Sequence, residues 1–236
     1  MLESRGAPTV VIGLIRPHLE KVQPPRSVFV PFELGRPLGE PNDPAFQRSV
    51  LLQALALLER GDGPVILEDF PDDAPGARDR PEWRPPVITA GGGDHVRDSA
   101  AWALDLASEM AQLRPIWQQA RRRFGRTSVG VSGQPPEEWP GFAAAFMTGA
   151  LPHTAAHASP ALALRFLADD LKAYYGEAAQ AAGPAPSSSQ IDDWFWRQTV
   201  GGSFLIALRA ACMGSVNGAL KTVAGRFIVP GPYVPD

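Results

Sequence analysis

Thr9-Val10-Val11-Ile12-Gly13-Leu14-Ile15 is an almost unbroken apolar run rich in β-branched residues, the pattern of a strand covered on both faces of a parallel sheet. Pro17 stands where a first helical turn would begin, and the short stretch through Val22, stopped by Pro24-Pro25, predicts a brief helix. Ser27-Val28-Phe29-Val30 predicts a second strand. Residues 35–44 hold three prolines and two glycines, breakers that no regular element tolerates, and predict a loop. A helix follows, with Asp43 as N-cap, Pro44 at its first position, and Phe46, Val50, Leu51, Ala54, Leu55 and Leu58 at helical spacing. Gly61-Asp62-Gly63 ends it, and Pro64-Val65-Ile66-Leu67 predicts a third strand. Strand, helix, strand, helix, strand is the order of an α/β layer, with 8–15, 27–32 and 64–68 as parallel neighbours.

The pattern then changes. Residues 71–86 contain five prolines among mixed charges, a linker composition. After the short run Val87-Ile88-Thr89, Gly91-Gly92-Gly93 leads toward a helix that Asp94 can cap, carrying Trp102, Leu106, Met110 and Leu113. Pro115 is expected to kink or restart that helix. Further helices are predicted over 142–151, 161–181 and 191–213, the last after a serine cluster able to cap it. The expected fold is therefore an α/β N-terminal module with a short parallel sheet (1–70), a Pro/Gly-rich linker (71–93) and a mainly α-helical C-terminal region (94–236).

Composition narrows the function classes. A chain of 236 residues with 44% hydrophobic and 20% charged residues can bury a core without staples. The formal charge of -3 gives no global attraction to phosphate backbones, which argues against nucleic acid as the main partner. One cysteine, Cys212, makes neither an intramolecular disulfide nor a zinc tetrad. No apolar run reaches the ~20 residues of a spanning helix, so no membrane partner is expected and the cytoplasm is the default location.

Gly6-Ala7-Pro8-Thr9-Val10, Pro24-Pro25-Arg26 and Val30-Pro31-Phe32-Glu33-Leu34-Gly35-Arg36-Pro37-Leu38-Gly39-Glu40-Pro41-Asn42-Asp43-Pro44 resemble, in order and spacing, the closing section of the glycine/sarcosine/betaine/D-proline reductase selenoprotein B family. The resemblance spans about residues 6–70 and runs on through Gly63-Pro64-Val65. It implies an oxidoreductase that reductively cleaves a carbon–nitrogen bond of a small amine or amino-acid-like substrate. In that family the reaction depends on a selenocysteine or cysteine upstream of the matching section, so this chain is expected to begin after it. With no selenocysteine and no C-x-x-C, no catalytic residue carries over.

Several residues attract a chemical reading beside a plain one. Glu33 and Arg36 flank a turn at the expected C-terminal end of the second strand, where open α/β sheets place ligand crevices, and are the candidate substrate-binding pair. Alternatively Gly35 and Gly39 only turn the backbone and Arg36 pairs on the surface. His153 and His157 have the i, i+4 spacing of a helical metal pair, yet Pro152 and Ser159-Pro160 crowd any helix there and no third ligand is assigned. Gly91-Gly92-Gly93 reads as an anion loop or a flexible joint, without the phosphate lysine. Cys212 reads as a buried structural thiol, having no adjacent base. Trp194-Phe195-Trp196, Trp117 and Phe124 read as core, and Arg121-Arg122-Arg123 as a solvated helix end at the negative pole of the dipole. No metal or cofactor is expected from these patterns.

Two functional readings stand. In one the chain is a component of a selenoprotein B-like reductase, whose redox cysteine or selenocysteine comes from a partner subunit or an upstream segment. In the other it is a noncatalytic small-molecule-binding or regulatory protein whose helical half supplies a pocket or dimer interface. Both anticipate a small-molecule ligand and a homo-oligomer or partner subunit.

Overall fold

The computed structural model describes residues 2–74, 78–87 and 97–235, and the chain divides into two units, Met1–Asp79 and Arg80–Asp236. The first holds a short parallel sheet in the order β1-β2-β3, with β1 Val11–Gly13, β2 Arg26–Phe29 and β3 Ile66–Asp69. The three apolar runs are thus parallel neighbours, but each strand is shorter than its run. At the front of β1, the Thr9 amide donates to Glu3 Oε1 at 2.6 Å instead of joining a ladder. Beyond β2 stands Pro31, which has no N–H to give.

Crossover helices α1, Arg16–Val22, and α2, Pro44–Ala56, join the strands. Asp43 caps α2 as its position before Pro44 predicts, its side chain accepting from the Phe46 amide at 3.1 Å. The core of this unit is Val28, Val30, Val50, Leu57 and Ile66 with Phe32 and Phe70. Phe32, Phe46 and Phe70 meet with ring centroids 5.4 to 5.7 Å apart, the tilted and edge-on packing that aromatic quadrupoles favour.

The second unit is helical, with α3 Ser99–Phe124, α4 Trp139–Met147, α5 Pro160–Ala181, α6 Ser188–Gln198, α7 Val200–Met213 and α8 Gly218–Val223. Several details differ from the sequence expectation, among them α4 at 139–147 in place of 142–151 and the unexpected α8. Asp94 lies outside the described residues, and the cap of α3 is Asp98, whose side chain accepts from the Ala101 amide at 2.7 Å. Pro115 does not restart the helix, which runs on to Phe124. Ala111, whose carbonyl Pro115 cannot serve, is exposed, so solvent can meet it.

The single helix expected over 191–213 is two, broken at Thr199, which is extended (φ -121, ψ 153). Its hydroxyl donates to the Phe195 carbonyl and accepts from the Gly202 amide, a local bonding choice that favours a cap over a continuous helix. The buried carboxylate of Glu109 completes that cap, accepting from Val200 N at 2.9 Å and Gly201 N at 3.0 Å, and from Tyr175 Oη at 2.7 Å. The serine cluster behaves as expected, for Ser187 and Gln190 form a capping box at α6.

The proline-rich stretch expected as linker is shared between the units. Phe70 and Ala74 belong to the first core. In the second unit Trp83 is buried and donates to the Ala179 carbonyl, while the Val87 carbonyl accepts from Trp194 Nε1 at 2.6 Å. Ile88, Thr89 and Gly91-Gly92-Gly93 lie outside the described residues.

Candidate functional site

The connection between α3 and α4 shapes the most polar cavity described. The helix ends in Arg121-Arg122-Arg123-Phe124 and is closed by Gly125, whose φ of 64 places it in the left-handed region with its N–H on the Arg121 carbonyl. Glycine takes this conformation without a Cβ penalty, and it turns the chain sharply back. Arg126 and Thr127 consequently lie beside the last turn of the helix. The result is an open cleft of about 650 Å³ lined by Gln118, Arg121, Arg122, Gly125, Arg126 and Thr127.

The walls are anchored from beneath. Glu177 on α5 accepts from Trp117 Nε1 at 2.8 Å, Thr127 Oγ1 at 2.9 Å and Ser128 N at 2.6 Å. Arg121 is held with its guanidinium 4.9 Å from the centre of the Trp117 ring, a cation–π contact that fixes its direction. Two turns earlier on the same helix, buried Asp170 accepts from the amides of Gly130, Val131 and Ser132 at 2.7 to 3.0 Å and from the Ser132 hydroxyl. Asp170 and Glu177 of α5 thus hold the connection in shape.

The charge balance of the cleft is one-sided. Among the described residues, none of Arg121, Arg122, Arg123 or Arg126 has a carboxylate within 4.0 Å, whereas Arg26, Arg114 and Arg197 each have one and Arg16 and Arg60 two. The negative end of a helix dipole, about half a charge, accounts for basic residues at this end but does not offset three guanidiniums around one hollow. Guanidinium forks match carboxylate and phosphate oxygens two at a time. The cleft can therefore hold an anionic group. Sequence pattern alone places the 121–123 run at a solvated helix end and passes over Gln118, Arg126 and Thr127. The available signal is Gly125 after a basic last turn, the mark of a left-handed C-cap that folds the chain back.

The other sequence candidates lie elsewhere. Glu33 and Arg36 sit in a turn beyond the C-terminal end of β2, with Gly35 and Gly39 at φ 89 and 81. Arg36 reaches Glu33 at 3.5 Å and Glu40 at 3.2 Å, so its charge already faces two carboxylates. His153 and His157 occupy a loop, not a helix, before α5. His157 stacks on Phe166 at 4.7 Å and its Nε2 lies 3.1 Å from the Ser132 carbonyl. Among the described residues no group of three or more His, Cys, Asp or Glu is placed to hold a metal ion.

Cys212 is buried, and burial pushes its thiol up to about 11. Trp194, Phe195, Trp196 and Trp117 are core, while Phe124, expected with them, is 44% exposed at the end of α3 beneath Arg123. Leu113, Trp117 and Ala120 carry the buried face of α3 to its last turn, and Phe124, next in that row, lies past its last buried residue.

Among the described residues no helix is long and apolar enough to cross a membrane. Comparison with known proteins adds no relative: no family model, curated protein or solved structure matches the chain.

Proposed function

We propose that this chain is a noncatalytic binding protein whose helical unit takes an anionic small molecule. The observation that carries the reading is the cleft of about 650 Å³ walled by Arg121, Arg122 and Arg126. A ligand phosphate or carboxylate there gains charge-assisted hydrogen bonds, with Arg121 directed by the Trp117 ring and Thr127 held by Glu177. The only thiol of the chain, Cys212, is buried, and burial pushes it up to about 11, so it stands protonated at neutral pH. Isothermal titration with inorganic phosphate, pyrophosphate and citrate tests the reading. Saturable binding by at least one of them, weakened about tenfold or more in Arg122→Ala and by added salt, is expected. Absence of binding by all three, with the fold intact, overturns it.

A second reading, the reductase component, rests on the first unit. The outer edges of β1 and β3 carry no further strand among the described residues, and unpaired parallel edges accept strands from another chain. In this reading the redox cysteine or selenocysteine comes from a partner subunit that joins the sheet or from an upstream segment. Light scattering on the purified chain decides it: assembly into a homo-oligomer, or into a soluble complex on coexpression with a neighbouring-gene product, supports it. A stable lone monomer that ignores such products removes it.

A further inference from the structure

A second cavity lies on the same helix as the arginine cleft. It has a volume of about 290 Å³ and is walled by Ala107, Met110 and Ala111 of α3, by Pro136 and Pro140 before and within α4, and by the Tyr174 ring of α5. The α3 positions of this hollow are 107, 110, 111 and 114, and those of the cleft are 118, 121 and 122, with the capping Gly125 just beyond the helix. The rows 107, 111, 114, 118, 121 and 107, 110, 114, 118, 122 each advance by three or four and lie side by side on one face of a continuous helix. Ala111 and Arg121 are separated by about 15 Å along the axis. One stripe of α3 thus runs from a mainly apolar hollow, whose lining also includes the paired Arg114 and Glu137, to a cationic one that starts at Gln118.

The two ends differ in the charge they can meet. Arg114, at the apolar hollow, is paired with Glu137, and that carboxylate would repel a second anion. Tyr174, buried in the wall of the hollow, donates from its hydroxyl to the Met110 carbonyl at 2.8 Å, with Arg114 also within reach of that hydroxyl, so the phenol is satisfied within the wall. At the other end the arginines have no carboxylate partner among the described residues. A ligand that satisfies both is therefore oriented in one sense only, with its anionic group among the arginines and its apolar part against Ala107, Met110 and Tyr174.

Resting on the anion-binding reading, we infer that the ligand is a single amphiphilic molecule, an anionic head on an unbranched apolar tail long enough to cover about 15 Å of the helix. Burying that tail adds hydrophobic gain to the head's ion pairs, so affinity grows with tail length until the hollow is filled.

The test compares inorganic phosphate, octyl phosphate and dodecyl phosphate, each below its micellar concentration, by isothermal titration on the full chain. Dodecyl phosphate is expected to bind at least tenfold more tightly than inorganic phosphate. Ala111→Trp, at an exposed position where the helix tolerates bulk, is expected to remove that gain and leave phosphate binding unchanged, while Arg122→Ala weakens both ligands. Phosphate binding with no dependence on tail length overturns this inference and leaves the anion-binding reading standing. A tail-length gain untouched by Ala111→Trp, or binding to anionic vesicles without binding of monomeric dodecyl phosphate, also overturns it. Failure of every phosphate and of citrate overturns both.

Discussion

Glu109, Cys212 and Gly202 show how far single side chains decide the helical unit. Gly202 sits where a Cβ would run into the Phe195 carbonyl and the Trp196 backbone. Gly202→Ala must therefore push α6 from α7, and a loss of about 2–4 kcal/mol in chemical denaturation is expected, as for other overpacked backbone contacts. The neighbouring groups that titrate at high pH set a second expectation. Burial raises the Cys212 thiol from 9.0 to about 11 and the Tyr174 phenol from 10.0 to about 12. Burial, with Glu109 next, pushes the Tyr175 phenol well above its ordinary value too. Each group ionises at lower pH in the unfolded chain than in the folded one. The stabilisation is complete below about pH 9 and is lost as pH rises through 11 and 12. The melting temperature should fall steeply over that window, and the Cys212 thiol should react with a disulfide reagent only as fast as the unit opens. Rapid labelling of the folded chain at neutral pH would contradict the buried placement.

At the scale of elements, the connection between α3 and α4 has almost no regular structure of its own and is held by carboxylates of α5. Asp170→Ala leaves the amides of Gly130, Val131 and Ser132 without their acceptor, and a loss of about 2–5 kcal/mol is expected from unfolding curves. Asp170→Asn, which keeps one carbonyl acceptor, should lose less. Equal stability of Asp170→Ala and the natural chain would show that water serves those amides. The same feature marks where sequence legibility stops. Asp43-Pro44 and Ser187 are legible because a cap and its amide are three positions apart, and the parallel sheet because its apolar runs are local. Glu109, Asp170 and Glu177 meet amides 38 to 92 positions away, and nothing in a one-dimensional pattern distinguishes such a carboxylate from a solvated one on a helix face. Three arginines in a row are visible too. The hollow that gives them a common target depends on Gly125 reversing the chain and on Glu177 holding Thr127 and Ser128 in place.

The whole molecule is two units of unlike construction, a small three-stranded layer and a larger helical body with separate cores. All six tryptophans, Trp83, Trp102, Trp117, Trp139, Trp194 and Trp196, fall in Arg80–Asp236, as do Tyr174, Tyr175 and Tyr233, the only tyrosines. Intrinsic emission is therefore a reporter of the helical unit alone, and the strand-bearing unit is dark apart from its phenylalanines. Denaturant titrations followed by tryptophan emission and by amide hydrogen exchange should separate if the two units melt independently, with exchange in β2 following a curve that the emission never registers. Coincident curves would mean that the units unfold as one. Trp117, on which Arg121 of the cleft packs, would report the proposed occupancy of that cleft as a change in colour or intensity without any added label.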